Sequence, residues 1–203
     1  MSRQYLGVTR SEFFAGAARG GAALALGGGV LAATAAPAVA GIGQPDIPVV
    51  TLALAAELVG AEFCTQALAG KLFSGEDERA LKRALFNERQ HYGALAQILT
   101  DAGQTPGQAS DFDFSFPAKA FASRRSIARL GVELENAFVG IYLGGVASLQ
   151  DTTTRAAFAR IASSQSQQLG FFAGIAQQKP VGMAFPVPLT VQEGSAALGP
   201  YIS

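Results

Sequence analysis

Apolar residues return every three to four positions through four long stretches of this chain, and helix-breaking residues bound each stretch. The first begins after Asp46-Ile47-Pro48, where a proline fits a first helical turn, and runs to about Phe73. Ser74-Gly75 then turns the chain, with Ser74 a candidate cap and Asp77 at the capping-box position. The second stretch runs to Ala102, and Gly103 stops it. A polar connection spans Gln104 to Pro117 and includes Asp-Phe-Asp-Phe-Ser-Phe. The third stretch covers about Ala118 to Leu149; Gln150-Asp151 turns the chain, with Asp151 a candidate cap, and the fourth extends to about Gln178. Pro180, Pro186 and Pro188 exclude a helix from the next segment, and Thr190-Val191-Gln192-Glu193 is a capping box opening a short helix toward Leu198.

Strand-type alternation is confined to Phe112–Phe116 inside the connection, so the pattern predicts an all-α chain. Short turns join the first two helices and the last two, which makes each pair an antiparallel hairpin. The connection between the pairs, about 14 residues, is long by the usual statistics of loops. At about 3.3 Å per extended residue it can travel the length of a bundle. Two antiparallel hairpins joined by one long crossover form a four-helix bundle, with a short C-terminal helix added.

Residues 1–40 change the picture of what folds, because they read as an export signal. Arg3 and Arg10 supply the positive end, an Ala/Gly/Leu stretch follows from about Gly20 to Ala36, and Ala38-Val39-Ala40 is a small-x-small cleavage site. Thr9-Arg10-Ser11-Glu12-Phe13-Phe14 resembles the twin-arginine export consensus, with Ser11 where the second arginine belongs. An uncleaved membrane anchor is the other reading, but the Gly/Ala content makes a poor spanning helix, and no stable span is expected after cleavage. The expected destination is the periplasm, the cell envelope or the exterior. Without Arg3, Arg10, Arg19 and Glu12, residues 41–203 carry 12 basic and 14 acidic side chains, a net charge near −2. No Lys/Arg run or aromatic-basic stripe is present, which argues against a nucleic-acid partner. A single cysteine, Cys64, excludes an intramolecular disulfide, so one domain over 41–203 must rely on its core.

The apolar stripes carry the candidate chemistry. They read Val50, Leu54, Glu57, Ala61, Cys64, Leu68; then Leu81, Leu85, Glu88, His91, Leu95, Leu99; then Ala128, Val132, Glu135, Phe138, Tyr142, Val146; and Phe158, Ile161, Gln165, Gln168, Phe172, Ile175. Each is interrupted near its middle by a carboxylate or an amide. Glu88 and His91, at i and i+3, share a helix face. A carboxylate left unpaired inside a core costs several kcal/mol, so it must be protonated, paired or bound to a cation. No lysine or arginine falls on these faces, whereas carboxylates with an imidazole suit iron or manganese. The plain alternative is that Glu57 and Glu135 turn outward to solvent. Tyr92 and Tyr142 face the core within reach of the carboxylates, Cys64 reads as a small buried hydrophobe, and Glu62 and Glu133 fall off the stripes. Phe112, Phe114 and Phe116 are expected to pin the crossover to the bundle.

These residues carry a resemblance. Ala56-Glu57-Leu58 followed by Cys64 to Leu68, Asn87-Glu88-Arg89-Gln90-His91, Leu134-Glu135-Asn136 with Tyr142, and the tail from Ala184 to Thr190 resemble the ferritin-like superfamily. Within it they are similar to the exported ferritin-like family that includes desiccation-related proteins. The resemblance implies a ferritin-like four-helix bundle with a di-metal site drawn from Glu57, Glu88, His91 and Glu135, plus a Glu-x-x-His on the fourth helix. Here Gln165 and Gln168 hold those last two places, which leaves one good position and a second supported only by Glu135, a share of Glu88 and the Gln165 amide. A glutamine there also resembles animal-type ferritins. The implied function is a metal-binding protein that oxidises Fe(II) with oxygen or peroxide, its glutamates serving as ligands. The rival is a non-enzymatic stress, desiccation or envelope bundle whose site is retired.

Overall fold

A computed structural model describes residues 41–203, so the export signal expected over 1–40 lies outside the described residues. The described elements are α1 (Ile47–Ala69), α2 (Gly75–Asp101), a 3-10 turn (Ala109–Asp111), α3 (Arg124–Ser148), α4 (Thr152–Ala176) and α5 (Val191–Leu198). Helices α1 and α2 pack as one hairpin and α3 and α4 as the other, and the pairs meet where α1 lies on α3 and α2 on α4. This is the all-α bundle that the hydrophobic pattern predicts.

Helix α1 is the core of the molecule, with 15 of its 23 residues buried. It is apolar and long enough to cross a membrane, yet 72% of its most apolar window is buried inside the bundle, which marks a core helix. Pro48 sits in its first turn, as expected. It ends at Ala69 rather than near Phe73, because Gly70 closes the helix and Lys71 takes φ 52°, in the left-handed region. Asp46 precedes α1 but does not cap it. Its buried carboxylate instead accepts from the N–H groups of Gln150 and Asp151, 2.9 Å each, tying the start of α1 to the α3–α4 turn.

The capping expectations divide. Ser74 makes no side-chain bond at the start of α2; Glu76, Asp77 and Glu78 in the first turn favour the helix dipole there instead. Asp151 caps α4 by accepting from Thr154 N at 2.6 Å, and Thr190 and Glu193 form their reciprocal box on α5. Helix α3 starts at Arg124, not near Ala118. Ser123 and Ser126 fix that start, each side chain accepting from the other's backbone N–H. The preceding residues turn on themselves, and Phe121 packs against Phe63 and Phe116.

Between the hairpins, Phe116 lies against Phe63, Phe121 and Tyr201. Phe114 forms an antiparallel bridge with Ile202, flanked by reciprocal backbone bonds between Asp113 and Ser203 and one from Ser115 N to Tyr201 O. The short alternating stretch is thus a strand-like clasp, closed by the last residues of the chain. Close contact within the second hairpin needs small residues, for a Cβ on Gly145 would stand 2.3 Å from the Phe158 ring and one on Gly131 2.6 Å from Phe172.

Candidate metal centre

The mid-stripe interruptions converge at the bundle axis. Glu57 from α1, Glu88 from α2, Glu135 from α3 and Gln165 and Gln168 from α4 are all buried, which rules out the outward-turned alternative for Glu57 and Glu135. Glu88 approaches α1 because residue 60 is glycine: a Cβ there would lie 2.7 Å from Glu88 Oε2. His91, one turn on from Glu88, places Nδ1 3.2 Å from Glu57 Oε2. Its side chain is 14% exposed, while that of Glu57 is fully enclosed. A surface cavity of about 300 Å³ lies outside the imidazole, lined by Gln90, His91, Ala94, Ala157, Arg160 and Ile161.

The Tyr142 hydroxyl donates to Glu57 Oε1. Gln165 Nε2 lies 3.3 Å from the same Glu57 oxygen and 3.3 Å from Glu88 Oε2. Gln168 Nε2 donates to Glu88 Oε1 and to Gln165 Oε1, 2.6 Å each. Among the described residues, two buried side-chain atoms are left without a hydrogen-bond partner, Glu135 Oε2 and Gln168 Oε1. Tyr92 does not join this network. Its hydroxyl reaches the crossover at Gly107 O, 3.1 Å away, since consecutive residues on a helix point about 100° apart and its neighbour His91 already faces the site. Off the stripes, Glu62 accepts from Gln66 and Glu133 holds the Tyr201 hydroxyl at 2.5 Å.

Electrostatics at the centre follow from carboxylates with too few cations. Burial is the main cause that pushes Glu57 up to about 7; the Glu135 charge adds, and hydrogen bonds with Glu88, Tyr142 and Gln165 oppose. Burial and then the Glu57 charge hold Glu88 well above its ordinary value, and burial and then Glu88 do the same to Glu135. The Tyr142 hydroxyl and the Cys64 thiol are also raised, chiefly by burial. His91 is lowered by burial, against the pull of Glu88. Burial thus favours the protonated form of all three carboxyls and the neutral form of the imidazole.

These residues fit a divalent cation. Ligand atoms of Glu57, Glu88 and His91 all lie within 4.8 Å of one another. Glu135 does not join that group, although its unpartnered oxygen belongs to the same interior. Among the described residues the arginines and lysines that pair with carboxylates do so away from this centre, and the Glu57 carboxylate pairs only with the His91 imidazole, so no arginine or lysine supplies the missing positive charge. Cys64 is buried and outside the group, as a small core residue.

An all-helical bundle with inward carboxylates and a histidine at its axis defines a class of metal-binding helical proteins. The family model of the ferritin-like domain matches residues 45–178, and the chain belongs to that family. No curated protein matches it.

Proposed function

We propose that this is an exported ferritin-like protein that binds one iron or manganese ion through Glu57, Glu88 and His91 and oxidises Fe(II). Glu135 lends negative charge alongside. The observation that carries the reading is the group of two buried carboxylates and an imidazole within 4.8 Å, with no lysine or arginine among the described residues paired to it. Such a donor set suits Fe(II) or Mn(II), which supplies redox chemistry when bound. Tyr142 and the two glutamines hold the carboxylates in place, and the apolar walls keep bulk water out. The oxidant is dioxygen or hydrogen peroxide, and the two Fe(II) that each consumes come from two chains or from successive ions. With peroxide, two Fe(II) and two protons give two Fe(III) and two waters; with dioxygen, two Fe(II) and two protons give two Fe(III) and one hydrogen peroxide. The export signal expected over residues 1–40 and the resemblance of the sequence motifs to desiccation-related proteins favour a role outside the cytoplasm in oxidative or drying stress.

The test begins with metal-free protein under nitrogen. Fe(II) is added, oxygen or peroxide is admitted, and the near-ultraviolet absorption of Fe(III) is followed. The native chain should oxidise Fe(II) faster than buffer does, and Glu57→Ala and His91→Ala should fall to the buffer rate. Equal rates in native and variant chains would sink the proposal. One observation favours the rival, a structural bundle with a retired site: Gln165, Gln168 and Tyr142 already satisfy much of the carboxylate oxygen surface. Under that reading Mn(II) and Fe(II) leave the melting temperature unchanged.

A further inference from the structure

We propose that Gln165 and Gln168 hold this centre at a single ion by placing amide N–H groups on the carboxylate oxygens that a second ion would need. The inference rests on the metal-binding reading above and goes on to assign the stoichiometry to two residues. Gln165 Nε2 stands 3.3 Å from one oxygen of Glu57 and 3.3 Å from one of Glu88, between the two carboxylates contributed by α1 and α2. Gln168 Nε2 covers the other Glu88 oxygen at 2.6 Å. Both Glu88 oxygens therefore already face an amide donor, which leaves one lone pair on each for the ion on the His91 side. The pair is also braced internally, because Gln168 donates to Gln165 Oε1 at 2.6 Å. That bond fixes which end of the Gln165 amide faces the carboxylates: its oxygen is taken, so its nitrogen points at Glu57 and Glu88.

An amide nitrogen in this place mimics a weak cation. It satisfies carboxylate lone pairs through its hydrogens yet offers no lone pair to a metal, and the one amide oxygen of the pair left without a partner, Gln168 Oε1, is a neutral donor standing in place of a carboxylate and an imidazole. Neither glutamine has room to withdraw, as both are buried on α4 with Ile161 and Phe172 buried one turn before and one turn after the pair. The His91 side of Glu57 is different. There the neighbour is an imidazole nitrogen 3.2 Å from Glu57 Oε2, a group that can coordinate a metal. One flank of the carboxylate pair is thus open to an ion and the other is closed by amides.

The exchange of one atom reverses the closed flank. Gln165→Glu keeps the shape and puts oxygen where nitrogen stood, opposite two carboxylates, an arrangement that only a cation or protons can hold together. Gln168→Glu does the same at the second Glu88 oxygen.

The experiment is a Mn(II) titration of the full chain and of each variant, with ions per chain counted by atomic absorption and the spin state read by electron paramagnetic resonance. The expected result is one ion per native chain, with the hyperfine-split signal of an isolated Mn(II). Each variant should take two ions and show the broadened signal of an exchange-coupled pair, which a purely structural change would not create. Two ions in the native chain, or one ion in either variant, overturns the inference and leaves metal binding standing. No ion in the native chain overturns the metal-binding reading itself, and this inference with it. A variant that folds only when produced in Mn(II) is counted as purified, where two coupled ions support the proposal and one isolated ion overturns it.

Discussion

A single hydrogen at residue 60 decides how near Glu88 comes to Glu57. Gly60 lies one turn after Glu57 on α1, and a methyl group there would stand 2.7 Å from Glu88 Oε2 and 3.2 Å from the Phe138 ring. Overpacking of this kind costs about 1–3 kcal/mol, while removing a glycine from a helix interior returns up to about 1 kcal/mol. Gly60→Ala should therefore destabilise the fold only modestly. Its larger effect should fall on the site, because the atom that must yield is a ligand oxygen. Mn(II) affinity measured by calorimetry should drop at least tenfold, with the helical circular dichroism of the native chain retained. Unchanged affinity would mean that Glu88 does not hold the ion. The same scale shows what sequence reading resolves. Glu57, Glu88, Glu135 and His91 were visible because a charge inside an apolar stripe contradicts the period around it. Gly60 was not visible, since a glycine in a glycine-rich chain carries no sign of the neighbour it admits.

At the scale of elements, the four helices were legible from their 3.6-residue period, and their ends were legible only where a local cap decides them. Asp151 and Thr190 cap as their sequence contexts predict. The start of α3 did not follow from the pattern, because Ala118 to Ala122 have helical composition and are held in turns by Ser123, Ser126 and the ring contacts of Phe121. Tyr92 reads as core from its position, yet it bonds to the crossover, whose path depends on contacts far away in sequence. Asp46 is the clearest case of information absent from the local sequence. Nothing beside it in the chain marks its partners, and it binds two backbone N–H groups more than a hundred residues away. Asp46→Ala would leave both donors unpaired beside a buried helix start. Hydrogen bonds to a charged group contribute about 1.5–3 kcal/mol each, and their loss here should lower unfolding stability by roughly 3 kcal/mol. Urea denaturation checks this, with Asp46→Asn expected to keep part of the loss from occurring. A change near zero would show that water replaces the carboxylate at this turn.

For the whole molecule, the buried carboxyls tie folding to pH and to metal. In an unfolded chain Glu57 titrates near 4.5, and in the metal-free fold it is raised to about 7. Between those values the folded state holds the proton more tightly, so the slope of unfolding free energy with pH is negative. The stabilisation is complete below about 4.5 and is lost as pH rises through about 7, a span worth on the order of 3 kcal/mol for this group. Glu88 and Glu135 are raised as well, chiefly by burial, and add losses of the same sign. His91 works in the opposite sense, since a lowered folded value adds stability as pH rises through 6.5, but it is one group against three. Metal-free protein should accordingly melt at a lower temperature at pH 8 than at pH 5.5. A bound cation displaces those protons and stabilises the ionised carboxylates, so the thermal shift caused by Mn(II) should be small at pH 5.5 and largest at pH 8. Differential scanning calorimetry at both pH values, with and without Mn(II), reads the two effects together. A metal-free melting temperature that rises toward pH 8 would show that burial does not raise the axial carboxyls in the fold, and the pH-dependent gain from Mn(II) argued here would fail with it.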